Sequence, residues 1–324
     1  MYQMNHYQFS GTNKRFKFYA SNLSSISNEN IIIYDTHSLA QKIDQFYQDG
    51  CENLQVITDF DHTITGYRSN TGERVQSCHE ALESHPFIND TIRNELRALR
   101  SKYLPIGMNY QKLHADEIQQ LMSNWWTESH NLLISAGVTR KMIVETLNYS
   151  RISLREKFSK FVNKLHDFSI PLTIFSAGLG DVIDLVLQNA KLKTDSIEIV
   201  ANFFHFNDKN EAVEFFEPTI HMCNKNMSTM IKMKRFNDNL SLKLSRPNII
   251  LLGDSLYDIH MTDGYELISS SSQPTVIRIG WLNQKSNAEV LQKYSSIYDI
   301  VLTEEETFTV PNLLIKWITT QIDE

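Results

Sequence analysis

The sequence predicts an α/β protein in which a doubly wound, largely parallel sheet carries an inserted set of helices. Three short apolar runs, at residues 54–58, 171–175 and 248–252, each end in small or acidic residues. Such runs are typical of strands that are buried on both faces of a parallel sheet. Helical patterns lie between the runs, and strands that alternate with helices form doubly wound sheets.

Length and composition fit one large α/β domain, or a core domain that carries a smaller one. The chain has 324 residues, of which 41% are hydrophobic and 21% are charged. These proportions are ordinary for a folded protein and argue against long disordered stretches. No run approaches the ~20 apolar residues that a membrane helix needs, so we expect no association with a membrane.

Cysteine content and net charge indicate the cellular setting and exclude some kinds of site and partner. The cysteines, Cys51, Cys78 and Cys223, are widely spaced and form no CxxC pair. They predict neither a disulfide framework nor a zinc site, and they favour a reducing, cytoplasmic setting. The net charge of −7 leaves no basic surface for a nucleic-acid polymer, although a small anionic substrate is compatible with it.

The core is expected to span residues 29–65 and 151–324. Residues 1–28, rich in aromatic residues, Asn and Ser, predict a loose or strand-like segment. Besides the three apolar runs, the core contains helical patterns at 155–168 and 181–189 and further strand patterns at 275–279 and 297–302.

The stretch from residue 66 to residue 150 has a different character. It contains helical patterns at 90–102 and 116–136 and no convincing buried strand. Asp90 and Asp116 suit the starts of these helices, because a carboxylate can cap free backbone N–H groups. Ligands of doubly wound sheets bind beyond the carboxyl ends of the strands. An insertion directly after the first strand would cover that edge, so we interpret residues 66–150 as a helical cap.

Asp59 and Asp61 stand directly after the first predicted strand, in the motif Asp59-Phe60-Asp61-His62-Thr63. Hydrolysis of a phosphate ester needs a nucleophile in line with the leaving group and a proton for the leaving oxygen. We interpret Asp59 as the nucleophile, which would become an aspartyl phosphate, and Asp61 as the general acid and base. A solvated or helix-capping pair of acids is the alternative.

Asp254 and Asp258 follow the third predicted strand. Mg²⁺ prefers hard oxygen ligands in an octahedron and usually retains waters. Asp59, the backbone carbonyl of Asp61 and the carboxylate of Asp254 would bind Mg²⁺, with Asp258 behind them or beside a catalytic lysine. The alternative is a simple loop in which an Asp or Ser caps a helix.

Ser176 and Ala177 follow the second predicted strand, where a helix begins. A hydroxyl and free backbone N–H groups at that point suit a bound anion such as phosphate. Lys225 is by default a solvated surface lysine. A site that gathers several carboxylates and a phosphoryl group, however, needs a cation besides the metal. We therefore assign Ser176, Ala177 and Lys225 to phosphate binding.

These residues, in this order, resemble the four motifs of the haloacid dehalogenase superfamily, whose core is a Rossmann-like sheet. The resemblance extends to the cytosolic pyrimidine 5′-nucleotidase family (the type III cytosolic nucleotidases) and covers roughly residues 30 to 320. The stretches that carry it include residues 57–61, 78–79, 125–130, 174–181, 202–203, 221–225, 250–255, 293–294 and 298–302.

The resemblance implies Mg²⁺-dependent hydrolysis of nucleoside 5′-monophosphates, with a helical-bundle cap between the first and second motifs. By the same resemblance, Asp59 is the nucleophile, Asp61 the acid and base, and Asp254 a metal ligand, while Ser176 and Lys225 bind phosphate. Any bound hydroxyl can compete with water for the phosphoenzyme, so phosphotransfer to another nucleoside is compatible with this chemistry.

Five residues of the predicted cap are candidates for nucleoside contact: Asn124, Trp125, Trp126, His79 and Tyr67. In the resembling family an acidic residue usually precedes the paired aromatics, and Asn124 in its place leaves the preference for pyrimidines open. Adjacent helix residues point about 100° apart, so at most one tryptophan would stack on a base, and both are compatible with core packing. His79 is either a pocket residue or an interior histidine, and Tyr67 lies in a loop at the mouth.

Two rival functions are also compatible with these residues. One is a phosphatase of the same superfamily that acts on another phosphate ester. The other is a catalytically silent nucleotide-binding module, against which stands the presence of Asp59, Asp61, Lys225 and Asp254 together. We expect a monomer whose partner is a small-molecule substrate.

Overall fold

The computed structural model describes residues 14–69, 71–108, 114–233, 238–269, 273–284 and 287–320. Within these residues, seven strands form one sheet and two more form a separate hairpin. The strands are β1 (Ile31–Ile33), β2 (Leu54–Thr58), β3 (Leu172–Leu179), β4 (Ile197–Asn202), β5 (Phe204–Phe206), β6 (Ala212–Phe215), β7 (Asn248–Gly253), β8 (Thr275–Leu282) and β9 (Ile300–Thr303).

Helices precede, separate and follow these strands. They are α1 (Lys14–Ile26), α2 (Thr36–Asp49), α3 (Cys78–Glu83), α4 (Asp90–Met108), α5 (Ala115–Ser135), α6 (Arg140–Glu145), α7 (Phe158–Asp167), α8 (Gly180–Asn189), α9 (Met227–Lys232), α10 (Asp238–Leu244), α11 (Ala288–Ser295) and α12 (Thr309–Thr319). None of the helices in the described part of the chain combines the length and apolar character that a membrane crossing requires.

The sheet has the strand order β1-β9-β8-β7-β2-β3-β4. Strand β2, in the interior of the sheet, is parallel to both neighbours, and its last residue, Thr58, pairs with Leu252 of β7 and Ile174 of β3. The carboxyl ends of the three predicted strands therefore meet at one edge, and the predicted α/β fold with a largely parallel sheet is confirmed. The antiparallel pairing of β1 with β9 and the β5–β6 hairpin are features that the sequence did not predict.

Both faces of the sheet are buried, which explains the continuous apolar runs. In β7, Ile250 and Leu252 belong to one buried cluster, whereas Ile249 and Leu251 belong to a second cluster. Successive residues of a strand point to opposite faces, so helices must cover both sides. Each of these four side chains is fully buried, a contribution of about 1.5–3 kcal/mol per side chain to folding.

Helices α3 to α6 occupy the chain between β2 and α7. Helices α4 and α5 pack together around Tyr103, Ile118 and Met122, a small apolar cluster separate from the two clusters of the sheet. Both helices predicted in this stretch are present. We refer to α3–α6 and their connecting loops as the insertion.

Two predictions about elements are wrong. Residues 14–26 form helix α1 rather than a loose or strand-like segment, because Tyr19 and Leu23 are fully buried and the Tyr19 hydroxyl donates to Trp317 O (3.2 Å). Residues 1–13 of that prediction lie outside the described residues. The helix predicted from residue 155 begins instead at Phe158, so Arg155 lies in the preceding loop and points into the protein.

Candidate active site

The chain turns sharply after β2, and this turn places Asp59 and Asp61 at the carboxyl edge of the sheet. Asp59 N–H donates to Leu252 O (3.0 Å), which continues the pairing of β2 with β7 for one residue. The backbone N–H groups of Ile64 and Thr65 then both donate to Phe60 O (3.0 Å each), closing the turn. Asp59 is 7% exposed. Asp61 Oδ1 accepts a hydrogen bond from Cys78 N (2.9 Å) at the start of α3.

Lys225 lies between two carboxylates at the centre of the site. Its Nζ is 2.7 Å from Asp59 Oδ1 and 2.6 Å from Asp258 Oδ1, and the residue is 4% exposed. The second oxygen of Asp258 accepts the backbone N–H groups of Asp254 (3.1 Å) and Ser255 (2.9 Å). The default interpretation of Lys225 as a surface lysine is therefore wrong.

Gly253 allows the close approach of Asp258 to the end of β7. A Cβ atom added at Gly253 would clash with the side chain of Asp258. A larger residue would thus displace the carboxylate that holds Lys225. This explains why glycine suits the last position of the strand.

Three carboxylates form a group with the spacing of a cation site. Single oxygens of Asp59, Asp254 and Asp258 all lie within 4.8 Å of one another. Because Lys225 and two backbone N–H groups already occupy both oxygens of Asp258, Asp59 and Asp254 are the better placed ligands. Hard carboxylate oxygens are the ligands that Mg²⁺ prefers. The donor set therefore fits the expected metal.

Burial raises the pKa values of Asp59 and Asp61, and the raised value of Asp61 suits acid–base chemistry. Burial, reinforced by the charge of Asp59, raises the pKa of Asp61 to about 7, so this carboxyl can carry a proton at neutral pH. Burial also raises the pKa of Asp59, to about 6, although Lys225 opposes the shift. Burial alone would lower the pKa of Lys225, but the charges of Asp258 and Asp59 raise it, and the lysine stays charged.

The carboxyl end of β3 brings a hydroxyl to the same edge of the sheet, since Ser176 lies within this strand. Ser176 is 1% exposed, and its Oγ accepts a hydrogen bond from Gly178 N (3.0 Å). A Cβ atom added at Gly178 would lie 2.9 Å from Asp61 Oδ2 and 3.1 Å from Ser176 Oγ. Asp61, Ser176 and the backbone of Gly178 therefore meet at one point. The neighbouring Ala177 O accepts hydrogen bonds from Trp126 Nε1 (3.0 Å) and Asn202 Nδ2 (2.9 Å).

A cavity of about 190 Å³ lies between the helices of the insertion. Trp126, which donates to Ala177 O near the carboxyl end of β3, is part of its wall. The cavity is lined by Arg74, Ser77, His79, Glu80, Glu83, Leu96, Arg100, Leu104, Trp125, Trp126 and Ser129. The lining combines an apolar aromatic wall with paired acids and arginines, a surface suited to a planar polar ligand.

The structure separates the five candidate residues for nucleoside contact. Trp125, Trp126 and His79 line the cavity, where Trp125 stacks on Tyr103 with ring centroids 5.9 Å apart. His79 stacks in turn on His130, with ring centroids 6.1 Å apart.

Asn124 and Tyr67 are not part of the cavity wall. Asn124 is exposed, and its Oδ1 accepts a hydrogen bond from Gln120 Nε2 (2.9 Å) on the outer surface of α5. The ring of Tyr67 lies edge-on to His62, with centroids 5.3 Å apart, beside the turn that follows β2.

Sequence reasoning missed two sets of polar residues. In the cavity, Arg100 pairs with Glu83 (2.6 Å) and Glu80 (3.4 Å), and Arg74 also pairs with Glu80 (2.9 Å). The Ser77-x-x-Glu80 capping box is a readable signal for the start of α3 and therefore for part of this set. The second set is Arg155 and Asn283, which no local motif marks.

Comparisons with known proteins agree over most of the chain. A family model described as pyrimidine 5′-nucleotidase (UMPH-1) matches residues 62–319. The 7-methylguanosine phosphate-specific 5′-nucleotidase A of Xenopus laevis is 32% identical over 297 residues, which cover 92% of this chain and 98% of that protein. The 7-methylguanosine phosphate-specific 5′-nucleotidase of Homo sapiens is 32% identical over 302 residues, which cover 93% of this chain and 97% of that protein.

A solved structure shares the whole architecture. The crystal structure of cytosolic 5′-nucleotidase IIIB (cN-IIIB) bound to cytidine superimposes with a TM-score of 0.78 at 27% identity. The match covers 92% of this chain and 97% of that one. The sheet and the insertion described above are therefore shared, because neither could be left out of a match of that extent.

Proposed function

We propose that this chain, which belongs to the pyrimidine 5′-nucleotidase (UMPH-1) family, hydrolyses nucleoside 5′-monophosphates with Mg²⁺ through an aspartyl phosphate on Asp59. It is a phosphoric monoester hydrolase of the haloacid dehalogenase type, as its 5′-nucleotidase relatives are. The observation that carries the proposal is the buried centre in which Lys225 pairs with Asp59 (2.7 Å) and Asp258 (2.6 Å) beside Asp254.

The first half-reaction transfers the phosphoryl group to Asp59. A carboxylate oxygen of Asp59 forms a bond to phosphorus while the bond from phosphorus to the nucleoside 5′ oxygen breaks. Asp61 gives its proton to that oxygen, a role supported by the raised pKa of its carboxyl. Ser176, the backbone N–H groups near Ala177, and Lys225 hold the phosphoryl oxygens and compensate their charge.

The second half-reaction regenerates the enzyme. Asp61, now a carboxylate, takes a proton from water as the water oxygen attacks phosphorus and the bond to Asp59 breaks. Asp59, Asp254 and the backbone oxygen of Asp61 would hold Mg²⁺, with Asp258 behind them. Bound Mg²⁺ supplies neutralisation of phosphoryl charge throughout. When a nucleoside hydroxyl replaces water, the same step is a phosphotransfer.

Residues 66–150 act, in this proposal, as a cap that selects the nucleoside and excludes bulk water. The cavity wall formed by Trp125, Trp126 and His79 supports contact with the base, and Trp126 also holds the carboxyl end of β3, the proposed phosphate-binding segment, through Ala177 O. Asn124 and Tyr67 would contribute at the mouth, Asn124 only after leaving its hydrogen bond to Gln120.

The names of the relatives indicate which bases to test first. The Xenopus laevis and Homo sapiens proteins are named for 7-methylguanosine phosphate, and cN-IIIB binds cytidine. We therefore propose 7-methyl-GMP and CMP as the first substrates to compare. A cytoplasmic monomer is the expected working form, and the word cytosolic in the names of relatives supports that compartment.

Phosphate release from CMP, UMP, AMP and 7-methyl-GMP, with Mg²⁺ or EDTA, tests the proposal. We expect Mg²⁺-dependent release by the wild type and none by Asp59→Asn, because an amide is a poor nucleophile. Release only from other phosphate esters would keep the chemistry and overturn the nucleotide assignment. No release from any ester, with retained binding of a nucleotide, would favour a silent binding module.

A further inference from the structure

Asn283 connects the turn after β2 with the loop after β7, although it belongs to neither segment. It directly follows β8 and therefore lies at the same carboxyl edge as Asp59 and Asp254. Its Nδ2 donates to Asp254 Oδ2 (3.2 Å) and to His62 O (2.9 Å). One side-chain amide thus contacts the predicted metal ligand after β7 and the turn after β2 that carries Asp59 and Asp61.

Arg155 determines which way this amide points. Its Nη2 donates to Asn283 Oδ1 (2.6 Å) and to His62 O (2.7 Å), and its Nε donates to Thr63 O (2.9 Å). A guanidinium group can only donate, so Asn283 must turn its oxygen toward Arg155 and its NH₂ group toward Asp254. The orientation of the amide therefore follows from its partners.

The position of Arg155 is itself determined by burial and charge. Its side chain is fully buried, and Nη1 pairs with Glu306 Oε2 (2.9 Å). Glu306 also accepts the backbone N–H groups of Tyr67 and Arg68 (3.0 Å each), which holds the loop after β2 against the C-terminal part of the core. Since the backbone carbonyls of His62, Thr63 and Glu305 also accept from it, Arg155 has little freedom to move.

We propose that Asn283, oriented by Arg155, is a positioning residue that holds the Asp254 carboxylate in the geometry needed to bind the metal. Within the described residues, the hydrogen bond from Asn283 engages Oδ2 of Asp254, and no hydrogen bond to its Oδ1 is found, which leaves that oxygen for the cation. The inference rests on the proposed Mg²⁺ site. Residues that orient a metal ligand typically contribute 10–100-fold to metal affinity.

Direct metal binding tests the proposal with Asn283→Ala and Asn283→Leu. Leu has the same number of side-chain heavy atoms, branched at the same position, without a donor, so it separates the hydrogen bond from simple loss of packing. Asn312→Ala is the matched control, because Asn312 is buried and its Nδ2 donates to two backbone carbonyls, of Lys157 (3.1 Å) and Phe308 (2.7 Å). Mn²⁺ binding to the full chain is measured by the electron paramagnetic resonance of free Mn²⁺, with Mg²⁺ as competitor.

We expect both Asn283 variants to bind Mn²⁺ about 10–100-fold more weakly than the wild type, with most of kcat restored at saturating Mg²⁺. The control should keep wild-type Mn²⁺ affinity even if its melting temperature falls. Wild-type affinity in either folded Asn283 variant would overturn the inference and leave the proposed function intact. A wild type that binds no Mn²⁺ and releases phosphate equally well in EDTA would instead overturn the proposed metal site.

Discussion

Lys225→Met is the substitution that tests the electrostatics of the centre most sharply. Methionine keeps the length of the side chain and removes its charge, so Asp59 and Asp258 lose a partner at 2.7 and 2.6 Å while both stay buried. Removing one member of a buried ion pair typically destabilises a protein by about 3–5 kcal/mol, because the remaining charge is uncompensated. We expect a loss of this size when both carboxylates are ionised.

The loss should depend on pH in a defined direction. Burial already holds the pKa of Asp59 at about 6 with Lys225 present, and removal of the cation raises it further. A carboxyl with a raised folded-state pKa favours folding most at low pH and loses that contribution as pH rises through the folded-state value. The difference in free energy of unfolding between variant and wild type should therefore be smaller at pH 5 than at pH 8.

Urea unfolding in EDTA at pH 5 and pH 8, followed by tryptophan fluorescence, measures this difference without bound metal. Lys243→Met is the control, because the ion pair of Lys243 with Glu198 (2.7 Å) is partly exposed and worth at most about 1 kcal/mol at either pH. Lys225→Met should also lose about 10²–10³-fold in kcat, the usual effect of removing a cation from a phosphoryl site. An equal loss of stability at both pH values, or an unchanged kcat, would refute the reasoning.

Three further substitutions probe the acid, the cavity and the strand end. Asp61→Asn should lower the rate of phosphoenzyme formation from nucleotides by about 10²–10⁴-fold, and by much less from an aryl phosphate whose leaving group needs no proton, as single-turnover release of the leaving group would show. Trp125→Ala should raise KM for the preferred nucleotide by the equivalent of about 1–3 kcal/mol and leave KM for an aryl phosphate unchanged, which initial-rate kinetics would show. Gly253→Ala should destabilise the protein by about 1–3 kcal/mol, measured by urea unfolding, because its Cβ atom clashes with Asp258.

Much of the sheet could be predicted because its signal is local. The runs that became β2, β3 and β7 are apolar on both faces, and each ends in the polar residues that meet at the carboxyl edge. The order of these motifs also carries the family resemblance, which the comparisons confirm. The local hydrophobic pattern was sufficient to predict these three strands, and the order of the motifs was sufficient to indicate the family.

Features that depend on distant contacts could not be predicted. Helix α1 is stabilised by burial of Tyr19 and Leu23 and by a hydrogen bond to Trp317, 298 positions away. Arg155 and Asn283 are 128 positions apart and meet only because the strands align. The hydrophobic pattern of α5 also does not indicate which of its residues face the cavity. Asn124 and Trp125 are one position apart, yet Trp125 lines the cavity and Asn124 lies outside it.

Trapping of the phosphoenzyme tests the central claim most directly. The wild type would be mixed with its best nucleotide and Mg²⁺, quenched in acid within the first turnover, digested and mapped by mass spectrometry. We predict one added phosphoryl group on the peptide that contains Asp59, and none in Asp59→Asn. Turnover that continues in Asp59→Asn, or a phosphoryl group on any other residue of the wild type, would contradict the account.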